Sequence, residues 1–192
     1  MRIGILGTGN MATALGDGWR AAGHEVLAGG RRGPVSLEEA GKFGAVTLLA
    51  VPAAVVTEVL AHVPRGATVI DCTNEVTQGF GVAHPYARIV AARPDLAVVK
   101  GFNLCHDSVW RLSSRVFGGR PLAVPLCGPA DAVATVRDLV IDLGCTPVDA
   151  GDRAALLEAT AAFAIGLWFG GADAQAILQP TRSDDGSSLM AG

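Results

Sequence analysis

The stretch Gly7-Thr8-Gly9-Asn10-Met11-Ala12 directly follows a short apolar run and opens a segment with helical spacing. It fits the G-x-G-x-x-G/A pattern of dinucleotide-binding turns. In that pattern Gly7 permits the tight turn, Gly9 lets the backbone approach a diphosphate, and Ala12 keeps the helix close to the sheet. The N-terminus of that helix offers N–H groups to phosphates. A glycine-rich turn can also be purely structural, but residues 2–28 have about the 30-residue length of a dinucleotide-binding βαβ unit.

The end of the second predicted strand indicates which dinucleotide binds. An enzyme that uses NAD usually places Asp or Glu there to bind the ribose hydroxyls, whereas this chain has Gly29-Gly30-Arg31-Arg32. A guanidinium can pair with the 2′-phosphate of NADP and stack on adenine. The sequence therefore predicts NADP as the cofactor, with Arg31 the stronger candidate and Arg32 the second. The alternative is that both arginines are solvated turn residues.

Strand-length apolar runs alternate with helix-compatible segments along most of the chain. This alternation implies crossover connections and a parallel sheet that is covered on both faces. We therefore predict an α/β fold, a Rossmann-like doubly wound parallel sheet with helices on both faces and a C-terminal helical segment. The predicted strands cover residues 2–6, 25–28, 45–51, 68–72, 97–101, 122–127 and 146–149.

Helix signals support the same layout. Asn10 is placed to cap the first helix, residues 36–39 form a capping box, and Pro52 lies just inside a helix start. Further helices are predicted at residues 84–92, 103–114, 129–143 and 152–178, the last with a break at 170–171. We expect a dinucleotide-binding domain over residues 1–151, a helical segment over 152–180 that packs on the site or on a partner, and a flexible tail over 181–192.

Composition and charge exclude several classes of partner. The 192 residues are half apolar and carry a net charge of −3, so there is no diffuse positive field for nucleic acid or anionic membrane. The most apolar run, residues 159–172, is shorter than a bilayer span. The four widely spaced cysteines show no metal-binding pattern, so we expect no metal site, and they suit a reduced compartment. We expect a cytoplasmic protein that binds a small-molecule redox acceptor.

Several segments beyond the glycine-rich turn resemble the NADP-dependent oxidoreductases of the deazaflavin coenzyme F420, a family that also provides the reductase domain of the six-transmembrane metalloreductases. They occur in family order over nearly the whole chain. The similar segments are 7–12, 23–26, 30–32, 98–103, 127–128 and 142–151, among which Lys100-Gly101-Phe102-Asn103 and the ending Asp149-Ala150-Gly151 are the more specific. The chain departs from the family at Gly101, often alanine, at Gly30, often serine, and at Leu104-Cys105-His106.

The resemblance implies a hydride transfer between NADPH and a second carrier that docks over the nicotinamide. By position, Thr8, Asn10, Met11 and Arg31 are implied to hold NADP. Val51, Pro52 and Asn74 are implied to border its ribose and nicotinamide, although Asn74 is equally compatible with a turn that bonds its own backbone. Residues 100–103, including Phe102 and Asn103, are implied to lie near the ring.

Two side chains are candidate proton donors, and one aromatic is a candidate substrate platform. Lys100 can donate a proton, although a lysine at a strand end more often reaches solvent or a phosphate. His106 is the only histidine in a plausible active-site loop, with a surface role as the alternative. Trp168 can stack on a flat substrate, although helix-spaced aromatics are more often core. The tyrosine and lysine pair of short-chain dehydrogenases is absent, because Val90 stands four residues after Tyr86.

Three functions remain open from the sequence. The first is hydride transfer between NADPH and a deazaflavin or flavin-like acceptor, which needs alignment of two carriers and no obligatory acid or base. The second is reduction of a small carbonyl, imine or unsaturated metabolite, with Lys100 or His106 as proton donor. The third is a non-catalytic NADP-sensing module. The apolar C-terminal segment also predicts a homodimer.

Overall fold

The computed structural model describes residues 1–77 and 81–169. The strands within them are β1 (Arg2–Leu6), β2 (Glu25–Gly29), β3 (Val46–Leu49), β4 (Thr68–Asp71), β5 (Val76–Thr77), β6 (Gly81–Val82), β7 (Ala97–Lys100), β8 (Val116–Phe117), β9 (Arg120–Pro121), β10 (Ala123–Leu126) and β11 (Thr146–Asp149). The helices are α1 (Asn10–Ala21), α2 (Leu37–Phe43), α3 (Val56–Val59), α4 (Pro85–Ala92), α5 (Asp107–Trp110), α6 (Ala130–Asp142) and α7 (Ala154–Phe169), with single 3₁₀ turns at Ala53–Val55 and Leu60–His62.

A five-stranded sheet organises the chain in the order β2-β1-β3-β4-β7, and every neighbouring pair is parallel. The parallel pair β10 and β11 continues from it through an antiparallel bridge between Lys100 and Cys127. Each predicted strand is present with small differences at its ends. Because all five strands run the same way, their carboxyl ends share one edge, where ligands of such sheets bind.

Helices cover both faces of this sheet. Ile5 of β1 belongs to a buried cluster with Trp19 of α1 and Leu139 of α6, whereas Leu6 faces the opposite cluster with Val56 of α3. The indole Nε1 of Trp19 donates to the carbonyl of Leu139 at 3.1 Å, so its polar atom is satisfied in the core. Each fully buried aliphatic side chain contributes about 1.5–3 kcal/mol to the burial term. The predicted doubly wound α/β fold is confirmed.

Local signals set some helix ends correctly and others incorrectly. The capping box is confirmed, since Ser36 Oγ accepts from the Glu39 amide at 3.1 Å and Glu39 Oε2 accepts from the Ser36 amide at 2.8 Å. The prediction that Asn10 caps α1 is wrong, because Gly9 is the N-cap and Asn10 is already helical. Of the helix predicted over 103–114, only α5 is present. Phe102, just before that segment, has a φ of +61°, which is not a right-handed helical conformation.

The C-terminal helix α7 packs on the preceding part of the chain. Ala154 and Leu157 are buried against Cys127, which follows β10. The predicted break at 170–171, the end of that helical segment and the predicted tail lie outside the described residues, and the division at residue 151 stays a prediction. No helix in the described ranges has the length and apolar character to cross a bilayer.

Candidate cofactor-binding and active site

The turn after β1 has the backbone geometry that its glycines permit. Gly7 has a φ of +127°, and a Cβ there would lie 2.1 Å from the carbonyl oxygen of Ala50. Only glycine fits between these two strands without a shift of the backbone. A Cβ at Gly9, in contrast, would meet no atom within 4 Å, so this part of the turn is open to the approach of another molecule.

The first turn of α1 faces this open turn with its amides. Its N-cap is Gly9, which has no side chain to occupy those N–H groups, and the first helical bond runs from the Thr13 amide to the Gly9 carbonyl at 3.0 Å. The positive end of a helix of 12 residues therefore points at the cleft. Backbone amides in this arrangement suit a diphosphate.

A cleft of about 460 Å³ extends from the turn past the ends of β2 and β3. Six of the predicted cofactor residues line it: Gly7, Thr8, Gly9, Arg31, Val51 and Pro52. Among the described residues, the predicted Asn10, Met11, Arg32 and Asn74 lie outside its lining. The lining also includes side chains that the sequence did not single out: Leu37, Val55, Glu58, Val59 and His62. They belong to α2, to α3 and to the 3₁₀ turns on either side of α3. The motif at the glycine turn gives no information about residues this far away in the sequence.

The end of β2 is shaped by Thr8 and Gly30. A Cβ at Gly30 would lie 3.0 Å from Thr8 Cγ2 and 3.1 Å from Thr8 Oγ1, closer than ordinary contact. The serine that often stands at this family position would therefore press on Thr8, and the Thr8 hydroxyl occupies the neighbouring space. Arg31, whose side chain is exposed, follows at the mouth of the cleft. A hydroxyl and a guanidinium together suit a phosphate, so the residues present fit NADP.

Asn74 and Asn103 join the loops that follow β4 and β7. Asn74 Nδ2 donates to the Asn103 carbonyl at 2.7 Å, and Asn103 Nδ2 donates to Asn74 Oδ1 at 3.0 Å. Asn103 Nδ2 also donates to the carbonyl of Leu157 on α7 at 3.2 Å. Asn74 is thus held by a partner 29 positions away, not by its own turn. Within the described residues, the buried Oδ1 of Asn103 has no hydrogen-bond partner.

The ring of Phe102 lies in the core instead of the cleft. It is 2% exposed and packs edge-on against Trp19 and Trp110, with ring centroids 5.7 and 5.4 Å away. The positive φ of Phe102 turns the backbone, so that the Phe102 ring is directed into the core and Asn103 lies at the edge of the sheet. Phe102 therefore presents only its backbone to this edge, and a substrate cannot stack on its ring in this arrangement.

Lys100 is the centre of a buried ionic cluster that the sequence did not indicate. Its ammonium is 0% exposed and donates to Asp71 Oδ2 at 2.9 Å and to the Thr73 carbonyl at 2.5 Å. Glu158 Oε1 of α7 lies 3.2 Å from the same nitrogen. With three acceptors for three N–H bonds, the ammonium neither reaches solvent nor contacts the cleft. The sequence placed Asp71 at a strand end, but it gave no sign of the ion pair with Lys100, 29 positions later.

His106 and Trp168 come together at the surface. Their ring centroids lie 5.6 Å apart, and each side chain is more than half exposed. His106 is the N-cap of α5, where Nδ1 lies 3.0 Å from Ser108 Oγ, and its Nε2 lies 3.4 Å from a carboxylate oxygen of Asp107. These two predicted residues thus form one exposed face, separate from Lys100.

The thiols do not supply a nucleophile. Burial raises the pKa of Cys72 to about 12 and that of Cys105 to about 11. Thiols with raised pKa values stay protonated at neutral pH and behave as small apolar groups. Among the described residues, no group of three or more His, Cys, Asp or Glu side chains is arranged to hold a metal ion.

Solved structures share this architecture. A protein from Arthrobacter sp. FB24 that is assigned as an F420-dependent NADP reductase is similar with a TM-score of 0.75 and 22% identity, over 89% of this chain and 94% of the other. A hypothetical protein from Sinorhizobium meliloti has a TM-score of 0.71 and 26% identity, over 81% and 86%. A reductive aminase from Aspergillus terreus, solved with NADPH and ethyl levulinate, has a TM-score of 0.64 and 19% identity, over 88% and 62%.

At the level of sequence, one family model matches. Residues 2–43, which hold β1, α1, β2 and α2, match the family described as NADP oxidoreductase, coenzyme F420-dependent. No protein of curated function matches the sequence. The match covers the glycine turn and the end of β2, where Gly29-Gly30-Arg31-Arg32 holds no carboxylate. Over residues 2–43, the chain is thus similar to the NADP oxidoreductases of the coenzyme F420-dependent family.

Proposed function

We propose that the protein transfers a hydride between NADP(H) and a deazaflavin carrier of the F420 type. The observation that carries the proposal is the cleft itself, in which Arg31 stands beyond β2 and the first turn of α1 offers its amides. When bound, the cofactor supplies the hydride, which together with one proton from solvent reduces the acceptor. The chain supplies alignment and the exclusion of water.

The cofactor would be held in two halves. Gly7, Gly9 and the first turn of α1, including Asn10 and Met11, would hold the diphosphate through backbone atoms. Thr8 and Arg31, with Arg32 nearby, would hold the phosphorylated ribose. The nicotinamide half would pass Val51 and Pro52 and reach the Asn74–Asn103 pair, which joins three elements at this edge.

The buried state of Lys100 supports a transfer between two carriers. If Lys100 were the acid in a reduction, its ammonium would have to reach the acceptor. The ammonium of Lys100 is instead buried and bound to Asp71, Thr73 and Glu158. We propose that Lys100 positions the loops around the nicotinamide instead of donating a proton. A flat deazaflavin would stack on Trp168, which is 59% exposed on α7 next to the ring of His106.

A second candidate function has one observation in its favour. His106 and Trp168 form an exposed face in which an imidazole stands next to an aromatic platform. This pair suits reduction of a small imine or carbonyl, with His106 as proton donor. His106→Asn then lowers turnover of the imine more than tenfold at neutral pH, whereas it leaves F420 reduction unchanged, because two carriers need no side-chain acid.

The test of the proposal is a panel of acceptors with purified protein. NADPH oxidation is followed with F420, with free flavins, and with small imines and ketones, and NADH serves as the matched donor control. Turnover of F420 that requires NADPH supports the proposal. Turnover of imines alone favours the second candidate, and tight NADPH binding without turnover on any acceptor favours a sensing module.

A homodimer through α7 is part of the proposal. The helix carries one charged side chain, Glu158, which is turned inward to Lys100, and Leu156 on its outer surface is 59% exposed. An uncharged outer face is typical of helices that pack on a partner. Light scattering after gel filtration should give twice the 19.6 kDa chain mass, and Leu156→Glu should return it to one chain. Cytoplasmic location stays a prediction, which cell fractionation tests.

A further inference from the structure

The ionic cluster around Lys100 has one more negative than positive charge. Its members are the ammonium of Lys100 and the carboxylates of Asp71 and Glu158, each at most 3% exposed. Counted as one ammonium and two carboxylates, these groups have a formal charge of −1. Neutral groups also donate hydrogen bonds to the two carboxylates. The Thr73 amide and hydroxyl donate to Asp71 Oδ1, and the Tyr86 amide donates to Glu158 Oε1 at 2.9 Å.

One histidine contacts the cluster at its rim. Nδ1 of His84, whose side chain is 49% exposed, lies 3.0 Å from Glu158 Oε2. The other nearby cation, Arg88, is paired with Glu75 at 2.6 Å. The surplus charge is therefore confined to a buried site with low local dielectric, where its field is screened less than at the surface.

In the proposed binding mode, the nicotinamide half of the cofactor extends toward the cluster. A dinucleotide with its diphosphate at α1 and its adenosine ribose at Arg31, beyond β2, has to extend its other half in the opposite direction, toward β3 and β4. Neighbouring strands are about 4.8 Å apart, so the end of β4, where Asp71 stands, is about 10 Å from the end of β1. This step rests on the proposed function.

The oxidised and reduced cofactors differ in the charge of that half. The nicotinamide ring of NADP⁺ carries a positive charge, and the dihydronicotinamide ring of NADPH is neutral. We propose that the surplus negative charge of the Lys100, Asp71 and Glu158 cluster stabilises bound NADP⁺ relative to bound NADPH, so that Glu158 tunes the direction of hydride transfer. The adenosine half is identical in both forms and cancels from the comparison.

Two variants remove the surplus charge in different ways. Glu158→Gln keeps the shape of the side chain and an oxygen for Lys100 and the Tyr86 amide, and it leaves Lys100 and Asp71 balanced. His84→Lys adds a fixed cation beside Glu158 at a half-exposed position, which leaves the buried residues unchanged. The control is Asp142→Asn, which removes a carboxylate of α6 that also lies 3.0 Å from a histidine nitrogen, His24 Nε2, but is 42% exposed.

The measurement is the ratio of the dissociation constants of NADPH and NADP⁺, taken at one fixed pH and ionic strength for all variants. Both variants should lower this ratio about tenfold. This is the effect of cancelling one unit charge at an assumed separation of about 10 Å with an effective dielectric constant of about 20. Affinity for 2′,5′-ADP, which lacks the nicotinamide half, should stay at the wild-type value. Asp142→Asn should leave all three constants unchanged.

An unchanged ratio in His84→Lys, with NADPH still bound, overturns the inference even when Glu158→Gln does not fold. Equal weakening of both dinucleotides in the two variants also overturns it, because the cluster then has a structural role only. If the wild-type protein binds neither dinucleotide, the proposed function fails, and this outcome is distinct from failure of the charge effect.

Discussion

Replacing Arg31 with alanine separates binding of the 2′-phosphate from binding of the rest of the cofactor. Arg31 lines the cleft, and Arg32, the next residue, is outside its lining. A hydrogen bond to a charged group contributes about 1.5–3 kcal/mol. Because Arg31 is exposed, we take the low end of that range, which corresponds to roughly tenfold in affinity. Arg31→Ala should therefore weaken NADPH about tenfold and leave NADH unchanged.

The assay is fluorescence titration of each reduced dinucleotide into the wild-type protein, Arg31→Ala and Arg32→Ala. Arg32→Ala is the matched control, because this substitution removes the same charge one residue away. It should lower the affinity for NADPH less than threefold. The contribution of Arg31 should also shrink as salt is raised. Equal loss of NADPH and NADH affinity in Arg31→Ala, or a larger loss in Arg32→Ala, would refute the assignment of Arg31 to the 2′-phosphate.

Three further predictions concern the turn, the ionic cluster and the thiols. Gly7→Ala should lower the free energy of unfolding by at least about 2 kcal/mol, because its Cβ would meet the Ala50 carbonyl. Gly9→Ala should keep the wild-type urea midpoint and weaken NADP binding, because a Cβ there meets no protein atom. Equal urea midpoints for the two variants would contradict this. Lys100→Met leaves two buried carboxylates without their cation and should lower the free energy of unfolding, measured in urea, by about 3–5 kcal/mol. The control Lys42→Met removes the lysine of an exposed ion pair and should lower it only slightly. A Lys100→Met protein as stable as the wild type would contradict the prediction. Because burial raises the pKa of Cys72 to about 12, the native thiol should resist alkylation by iodoacetamide at pH 8. Its contribution to stability is complete below about pH 9 and should fall as the pH rises toward 12. Alkylation of native Cys72 at the rate of the unfolded protein would contradict the prediction.

The parts of the site that follow from local pattern could be predicted from the sequence. The turn at Gly7 and Gly9 and the arginine after β2 depend on residues that are neighbours along the chain, so their spacing carries the information. The alternation of apolar runs with helical segments predicts the parallel sheet, although it does not predict the order of the strands. The structure and the family match support these predictions at the level of fold and of cofactor class.

The region after β7 could not be predicted, because distant contacts decide it. Helical spacing alone predicts a helix from residue 103, yet Asn103 is bound to Asn74 and to the Leu157 carbonyl, and Phe102 takes a left-handed conformation between two tryptophans. A lysine at the end of a strand gives no sign that its acceptors come from β4 and α7. Such clusters arise only when elements far apart in sequence share one edge of the sheet.

The central claim is that the cleft beyond β2 is built for a phosphorylated adenosine ribose. The most direct test is the dissociation constants of NADPH and NADH with the wild-type protein, measured by calorimetry in the same buffer. The account predicts that NADPH binds at least about tenfold more tightly, as one charge-assisted contact to the 2′-phosphate requires. Equal affinities, or binding of neither dinucleotide, would contradict it.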